Sequence, residues 1–101
     1  MSQTGFDAVE AGLTFARTRA IVLATDATNA RAPGFQPIDV APAGERFGGL
    51  VVRALRSSGA AGTIERSMAA SAENSVCYRA LADQERSMLR EFRTVAEEAR
   101  R

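Results

Sequence analysis

The stretch that decides the fold is residues 63–101, TIERSMAASAENSVCYRALADQERSMLREFRTVAEEARR. It contains neither glycine nor proline, and its larger apolar residues recur at alternating steps of three and four, the spacing of one helix face. The polar residues Ser67 and Glu85 interrupt this track. Thr63 is a suitable N-cap, so we expect a helix over residues 63–100. The track consists of Ile64, Ser71, Asn74, Tyr78, Leu81, Met88, Phe92, Val95 and Ala99.

A second apolar track runs through the N-terminal segment and predicts a helix over about residues 5–29. Small residues flank it, which allows close approach of a neighbouring helix. An ordinary amphipathic core helix and a helix of an intermolecular bundle both fit this pattern. The track is formed by Phe6, Val9, Leu13, Ala16, Ala20, Leu23 and Ala27.

Glycine and proline punctuate the middle of the chain, residues 30–62. Pro33-Gly34 predicts a chain reversal, because proline presets φ at the second turn position and glycine accepts the positive φ that a type II turn requires next. An extended loop should follow over residues 35–44. Helical spacing predicts a short helix near residues 45–56, although Leu50-Val51-Val52 also fits a strand.

These segments together predict one all-α domain over residues 1–101, in which two long helices form an antiparallel helical hairpin or coiled coil. A C-terminal helix of about 37 residues would be about 55 Å long. The rest of one chain cannot cover such a helix, so its surplus apolar surface should face other subunits.

The composition argues against several kinds of chemistry. The chain has 13 basic and 12 acidic residues, every basic residue is arginine, and histidine is absent. Without histidine, the usual general base and the commonest metal ligand are missing. The single cysteine, Cys77, cannot form an internal disulfide or fill a zinc site alone. We therefore expect no catalytic residues, no cofactor, no metal and no small-molecule substrate.

The same reading gives expectations for partners. Acidic residues interleave the arginines, so no basic stripe suited to nucleic acid forms. The longest apolar run, residues 20–24, is far shorter than the roughly 20 residues of a membrane span. The first residues have neither the basic nor the apolar region of a cleavable signal peptide. Any export should therefore use another route.

The segment at the end of the first helix contains more polar and turn-forming residues than helix termination alone requires. In residues 26–35, DATNARAPGF, Asn29 can hydrogen-bond locally, Pro33-Gly34 reverses the chain, and Phe35 can fold back on the helix. This string resembles a motif of the flagellar rod and hook family, Asn-x-x-Asn-x-x-Thr-Pro-Gly-Tyr. The matching residues are Asn29, Pro33, Gly34 and Phe35, with Asp26 and Ala32 replacing the first Asn and the Thr, and Asp39 matching an acidic residue that commonly follows.

The C-terminal helix carries a second resemblance to the same family. Residues 73–81, ENSVCYRAL, are similar to its Glu-Asn-x-x-x-Tyr-x-Ala-Leu segment, and residues 92–95 resemble its closing helix. This segment favours the FlgB type of basal-body rod protein over the FlgC type. The middle of the chain is shorter than is usual in the family.

The resemblance implies a non-enzymatic building block of the proximal rod of the bacterial flagellar basal body. Such a subunit transmits torque for motility, leaves through the flagellar type III export channel without a cleaved signal, and assembles as an oligomer in the periplasm. Its partners would be copies of itself and other rod and export-gate proteins. The expected packing residues are Phe6, Val9, Leu13, Leu23, Asn29, Pro33, Gly34, Phe35, Asn74, Tyr78, Leu81, Met88 and Phe92.

A free-standing helical adaptor or regulatory protein that binds a partner helix is the alternative. An adaptor should form a compact cooperative fold alone, whereas a rod subunit should be poorly ordered at its termini when it is monomeric.

Overall fold

The computed structural model describes residues 3–44 and 49–101 and contains two long helices joined by a small β-hairpin. Helix α1 spans Gln3–Asn29, strand β1 spans Ile38–Pro42, strand β2 spans Leu50–Ala54, and helix α2 spans Gly59–Ala99. The two helices pack along each other over the length of α1. The chain is therefore mostly helical, as the two apolar tracks predict.

The order of the contacts between the two helices shows that they run antiparallel. The end of α1 meets the start of α2, where Asp26 pairs with Arg66. In the middle, Asn74 donates a hydrogen bond to the carbonyl oxygen of Ala16. Nearer the start of α1, Gly12 lies against the side chain of Leu81. Rising residue numbers on one helix thus meet falling numbers on the other.

The prediction of an all-α fold is wrong, because the middle of the chain forms a two-stranded antiparallel sheet. Ile38 pairs with Ala54, and Pro42 pairs with Leu50. The expected short helix over 45–56 is replaced by β2 from Leu50 onward, while residues 45–48 lie outside the described part of the chain. Adjacent β-branched residues favour a strand, and β1 supplies the hydrogen-bonding partner that a helical reading overlooks.

Helix α2 begins one turn earlier than Thr63, the expected cap. It starts at Gly59, and Thr63 lies buried inside it. A Cβ at Gly62 would lie against the Ser58 side chain, so the glycine makes room for the chain to enter the first turn at this angle.

The molecule is a thin rod of 65 × 23 × 14 Å. Its length matches α2, since 41 residues rise about 60 Å, whereas the 27 residues of α1 rise only about 40 Å. Counting back from the contact between Gly12 and Leu81, the first turn of α1 lies beside about residue 90 of α2. The last turns of α2 therefore extend past the start of α1.

Candidate assembly surface

The expected packing residues of the two helices fall into three groups by burial. Val9, Leu13 and Leu23 are buried, and Leu13 is only 2% exposed. Phe92, in contrast, is 64% exposed although it continues the same track. Half-buried positions lie between these extremes, namely Phe6, Tyr78, Leu81 and Met88. Of the expected packing residues on the two helices, Phe92 is thus exposed, and the others are buried or half-buried.

Close approach of the two helices depends on small and polar residues in this interface. A Cβ at Gly12 would lie 3.1 Å from Leu81 Cδ1, so glycine lets the leucine pack against the α1 backbone. Asn74 is buried, and its Nδ2 donates to the Ala16 carbonyl oxygen over 2.9 Å. Arg17 lies 5.8 Å from the centre of the Tyr78 ring, within reach of a cation–π contact. These contacts fix the register of the pair.

The polar string after α1 forms the predicted turn. The Phe35 amide donates to the Ala32 carbonyl oxygen over 3.2 Å, and Gly34 has a φ of 74°, as the third residue of a type II turn requires. Asn29 ends the helix, and its side-chain Nδ2 donates to the Thr25 carbonyl oxygen. Pro33 and Gly34 are exposed, whereas Phe35 is half-buried. This turn directs the chain from α1 into β1.

Two buried aspartates fasten the β-hairpin to both helices. Arg19 of α1 binds Asp39 of β1 through two hydrogen bonds, Nε to Oδ1 and Nη2 to Oδ2, of 3.1 and 3.2 Å. Arg66 of α2 donates to Asp26 Oδ2 over 3.0 Å and also lies 4.0 Å from Asp39. Asp26 Oδ1 accepts from the Ile38 amide. We call these four side chains, Arg19, Asp26, Asp39 and Arg66, the clasp.

The surroundings of Asp39 in the clasp favour its ionised form. Burial alone would raise the pKa of Asp39, but hydrogen bonds from Arg19 and the Val40 amide, together with both arginine charges, lower it below its ordinary value of 3.8. Asp26 is 1% exposed and has donors on each carboxylate oxygen. The clasp therefore joins α1, β1 and α2 with its carboxylates satisfied.

The sequence did not identify the clasp as a unit. In the sequence, Asp26 and Asp39 stand out only as motif positions, and no pattern points to Arg19 or Arg66. A usable signal was present, because Asp39 lies between Ile38 and Val40 in an otherwise apolar strand, where a carboxylate needs a partner. Only the fold shows which arginines supply it.

Besides Ile21, Met68 and Val76, the exposed large apolar side chains lie in two areas at opposite ends of the rod. At the end of α2, Leu89, Phe92 and Val95 are exposed, the last by 63%. We call these three residues the bare seam, because Leu89 lies beside the first turn of α1 and Phe92 and Val95 lie beyond it. At the other end, β2 is exposed along its whole length, including Val51 and Val52. Both areas are suited to protein contacts.

No group of three or more histidine, cysteine, aspartate or glutamate residues is placed to hold a metal ion within residues 3–44 and 49–101. Within the same ranges, neither helix has the length and apolarity needed to cross a membrane. Cys77 is exposed on α2 and has no disulfide partner.

Comparisons with known proteins returned nothing, since no protein-family model, curated protein or solved structure matches the chain.

Proposed function

We propose that this chain is a structural subunit of the proximal rod of the bacterial flagellar basal body, assembled by helix packing to transmit torque. The observation that carries the proposal is the bare seam. Phe92 and Val95 continue the apolar track of α2 beyond the point where α1 can cover it. In a pair of helices of unequal length, the apolar side chains that extend past the shorter helix become buried when a neighbouring subunit packs on them.

The thinness of the molecule supports the same proposal. A rod 14 Å across in its narrowest dimension has room for little more than one layer of helices. Leu13 and Leu23 are buried in this layer. Other large apolar side chains are exposed, namely Ile21, Met68 and Val76. Burial of such side chains by neighbours would stabilise an assembly by about 25 cal/mol per Å² before the costs of association.

The clasp suits a part that must carry torque. It ties the hairpin to both helices through charge-assisted hydrogen bonds, including the two-point contact of Arg19 with Asp39. The residues of the resemblance support this role, since Asn29, Gly34 and Phe35 build the turn into β1 and Asn74 sets the helix register. Force on one helix is thereby passed to the other elements.

The test uses a double variant of the bare seam, Phe92→Asp with Val95→Asp. Both side chains are exposed, so the isolated chain should fold as before while basal bodies lose the subunit and cells lose motility. Thr94→Asp is the matched control, since Thr94 lies on the same turn and is exposed. It should leave incorporation intact. Motile cells and normal rods from the double variant would overturn the proposal.

Fractionation of basal bodies separates the rod subunit from the alternative adaptor. A rod subunit copurifies with the rod after detergent extraction of the membrane. A chain that remains in the soluble fraction, with motility unaffected by its deletion, would favour the adaptor. Leu13→Asp and Leu81→Asp should also abolish incorporation, but they disrupt the helix pair itself and so do not separate folding from assembly.

A further inference from the structure

Strand β2 has one edge that is hydrogen-bonded to β1 and one edge that points away from it. In an antiparallel pair, residues that bond across the ladder alternate with residues whose backbone groups point outward. The Leu55 amide donates to the Pro37 carbonyl oxygen, and the Ala43 amide donates to the Gly49 carbonyl oxygen. In the register of the two strands, these bonds identify the residues that form the outer edge of β2, namely Leu50, Val52 and Ala54.

The outward backbone amides of β1, by contrast, are already bonded or missing. The Ile38 amide donates to Asp26 Oδ1 over 3.2 Å, and the Val40 amide donates to Asp39 Oδ1 over 2.8 Å. The third outward position is occupied by Pro42, which has no amide hydrogen. The same strand also packs against α1. A further strand can therefore join this sheet only beside β2.

The outer edge of β2 is open. Within residues 3–44 and 49–101, its backbone amides and carbonyl oxygens have no hydrogen-bond partner. Every residue of the strand is exposed, Val52 by 58%. A sheet of two strands is only marginally stable by itself, and an open edge is a template for pairing with another chain. The sheet can therefore gain stability from a third strand at this edge.

The charges beside the outer edge of β2 indicate which kind of strand fits it. Residues 49–64 contain two arginines, Arg53 and Arg56, and no acidic residue. Arg53 lies opposite Asp39 in the sheet, but that carboxylate is bound by Arg19. In the part of the chain that the structure describes, neither Arg53 nor Arg56 forms an ion pair. A second copy of β2 would bring two more arginines to this edge, whereas an acidic strand would neutralise those present.

We propose that the outer edge of β2 binds an extended segment of a partner protein, which adds a third antiparallel strand and places a carboxylate opposite Arg53. Because the outer-edge residues form the hydrogen-bonded pairs with this strand, Val51 and Arg53 take the pairs in which opposite side chains lie closest. The segment therefore has an acidic residue opposite Arg53, followed by apolar residues opposite residues 50–52. This surface is separate from the bare seam and does not depend on the rod function.

A synthetic peptide with blocked ends, Glu-Thr-Thr-Glu-Val-Ile-Val, tests the proposal on the isolated chain. Its second glutamate falls opposite Arg53 when its apolar residues lie along residues 50–52. In a titration followed by nuclear magnetic resonance, the peptide should shift the amide signals of residues 50–54 and protect the Val52 amide from hydrogen exchange. A matched peptide with glutamine in place of both glutamates should bind about threefold more weakly.

Val52→Pro removes the central outward amide of the edge and leaves the ladder to β1 intact, since Val52 and Val40 form a pair that is not hydrogen-bonded. This variant should bind the glutamate peptide about tenfold more weakly, because a strand-pairing hydrogen bond is lost. Protection of the Ala41 amide reports whether the hairpin is still formed. A peptide N-methylated at its first valine makes the same test without any change to the chain.

Arg53→Gln should bind the glutamate and glutamine peptides equally, because the charge that distinguishes them is gone. Arg79→Gln is the matched control, since Arg79 is an exposed arginine of α2, and it should keep the native preference.

The proposal would be overturned by unshifted signals of residues 50–54, by equal binding of the two peptides to the native chain, or by undiminished binding of the N-methylated peptide. A dimer of the free chain that Val52→Pro dissociates, as measured by sedimentation, would show instead that a second copy occupies β2. Each of these results leaves the rod proposal to the test of the bare seam.

Discussion

The two ends of the helix pair are held together in opposite ways. At the hairpin end, Asp26 and Asp39 each face an arginine, and three elements meet at the clasp. At the open end, the apolar interface runs out into the bare seam. The same interface is thus fastened by paired opposite charges at one end and ends in exposed apolar side chains at the other. Under the proposed function, the hairpin end anchors the chain and the open end takes part in assembly.

The largest effect should come from Asp26→Ala, which would break the anchored end. Asp26 is 1% exposed and accepts from Arg66 and from the Ile38 amide. Its removal leaves the Ile38 amide without its acceptor and the partly buried Arg66 with only the longer contact of 4.0 Å to Asp39, which should cost about 3 kcal/mol of unfolding free energy. Urea denaturation followed by circular dichroism measures this loss.

Asp83→Ala is the control for that substitution. Asp83 also pairs with an arginine, Arg86, but their side chains are 74% and 70% exposed. Exposed pairs contribute at most about 1 kcal/mol, so the control should remain close to the native stability. Equal losses in the two variants would show that the clasp does not anchor the hairpin end.

A comparison of Leu13→Ala with Phe92→Ala should give the next largest difference. Leu13 is buried beneath α2, so its truncation should cost about 2.5 kcal/mol through lost burial and the cavity that remains. Phe92 lies on the bare seam, so its truncation to alanine should lower the unfolding free energy of the isolated chain by less than about 0.5 kcal/mol. Thermal unfolding of the monomer checks both values. A large loss for Phe92→Ala would mean that the seam is already covered within the isolated chain.

Asn74 gives a smaller effect in the middle of the interface. Asn74→Ala removes the hydrogen bond to Ala16 and leaves a void, at about 1 kcal/mol. Asn74→Leu should recover that loss, because leucine fits the apolar track, but it should relax the register that the asparagine sets. Urea denaturation measures the first effect, and cysteine cross-linking between the helices measures the second. A unique register in Asn74→Leu would contradict this role.

The smallest expected effect concerns acid unfolding at the hairpin end. The pKa of Asp39 is lowered in the folded chain, so its stabilisation is present above about pH 4 and is lost as the pH falls through the lower folded value. Arg19→Ala removes the hydrogen bonds that outweigh burial and should move acid unfolding to higher pH by less than about one unit. Arg79→Ala, at an exposed arginine of α2, should leave the midpoint unchanged. A common midpoint for both variants would show that Arg19 does not stabilise the ionised form of Asp39.

The sequence predicted the helices better than the segment between them. Periodicity alone indicated α1 to within about two residues, because an apolar stripe on one face needs no knowledge of its partner. The turn at Pro33-Gly34 was also predictable, since its residues fix their own φ values. The β-hairpin was not, because Leu50, Val51 and Val52 fit a helix or a strand until β1 lies beside them.

The burial of residues along the two apolar tracks also could not be predicted from the sequence. Leu13 and Phe92 occupy equivalent positions in their patterns, yet one is buried and the other is exposed. The difference arises from the unequal lengths of α1 and α2, which decide where the cover ends. Periodicity predicts which face of a helix is apolar but not what covers it.

By itself the sequence therefore determined two long helices with one apolar face each, a turn between the first helix and the middle segment, and a set of side chains poor in catalytic groups. The tertiary structure alone decided that four charged residues from three elements form a clasp and that the seam of α2 is left bare. Local patterns depend on neighbours three or four residues apart, whereas charge pairing and cover depend on residues that are brought together from distant parts of the chain.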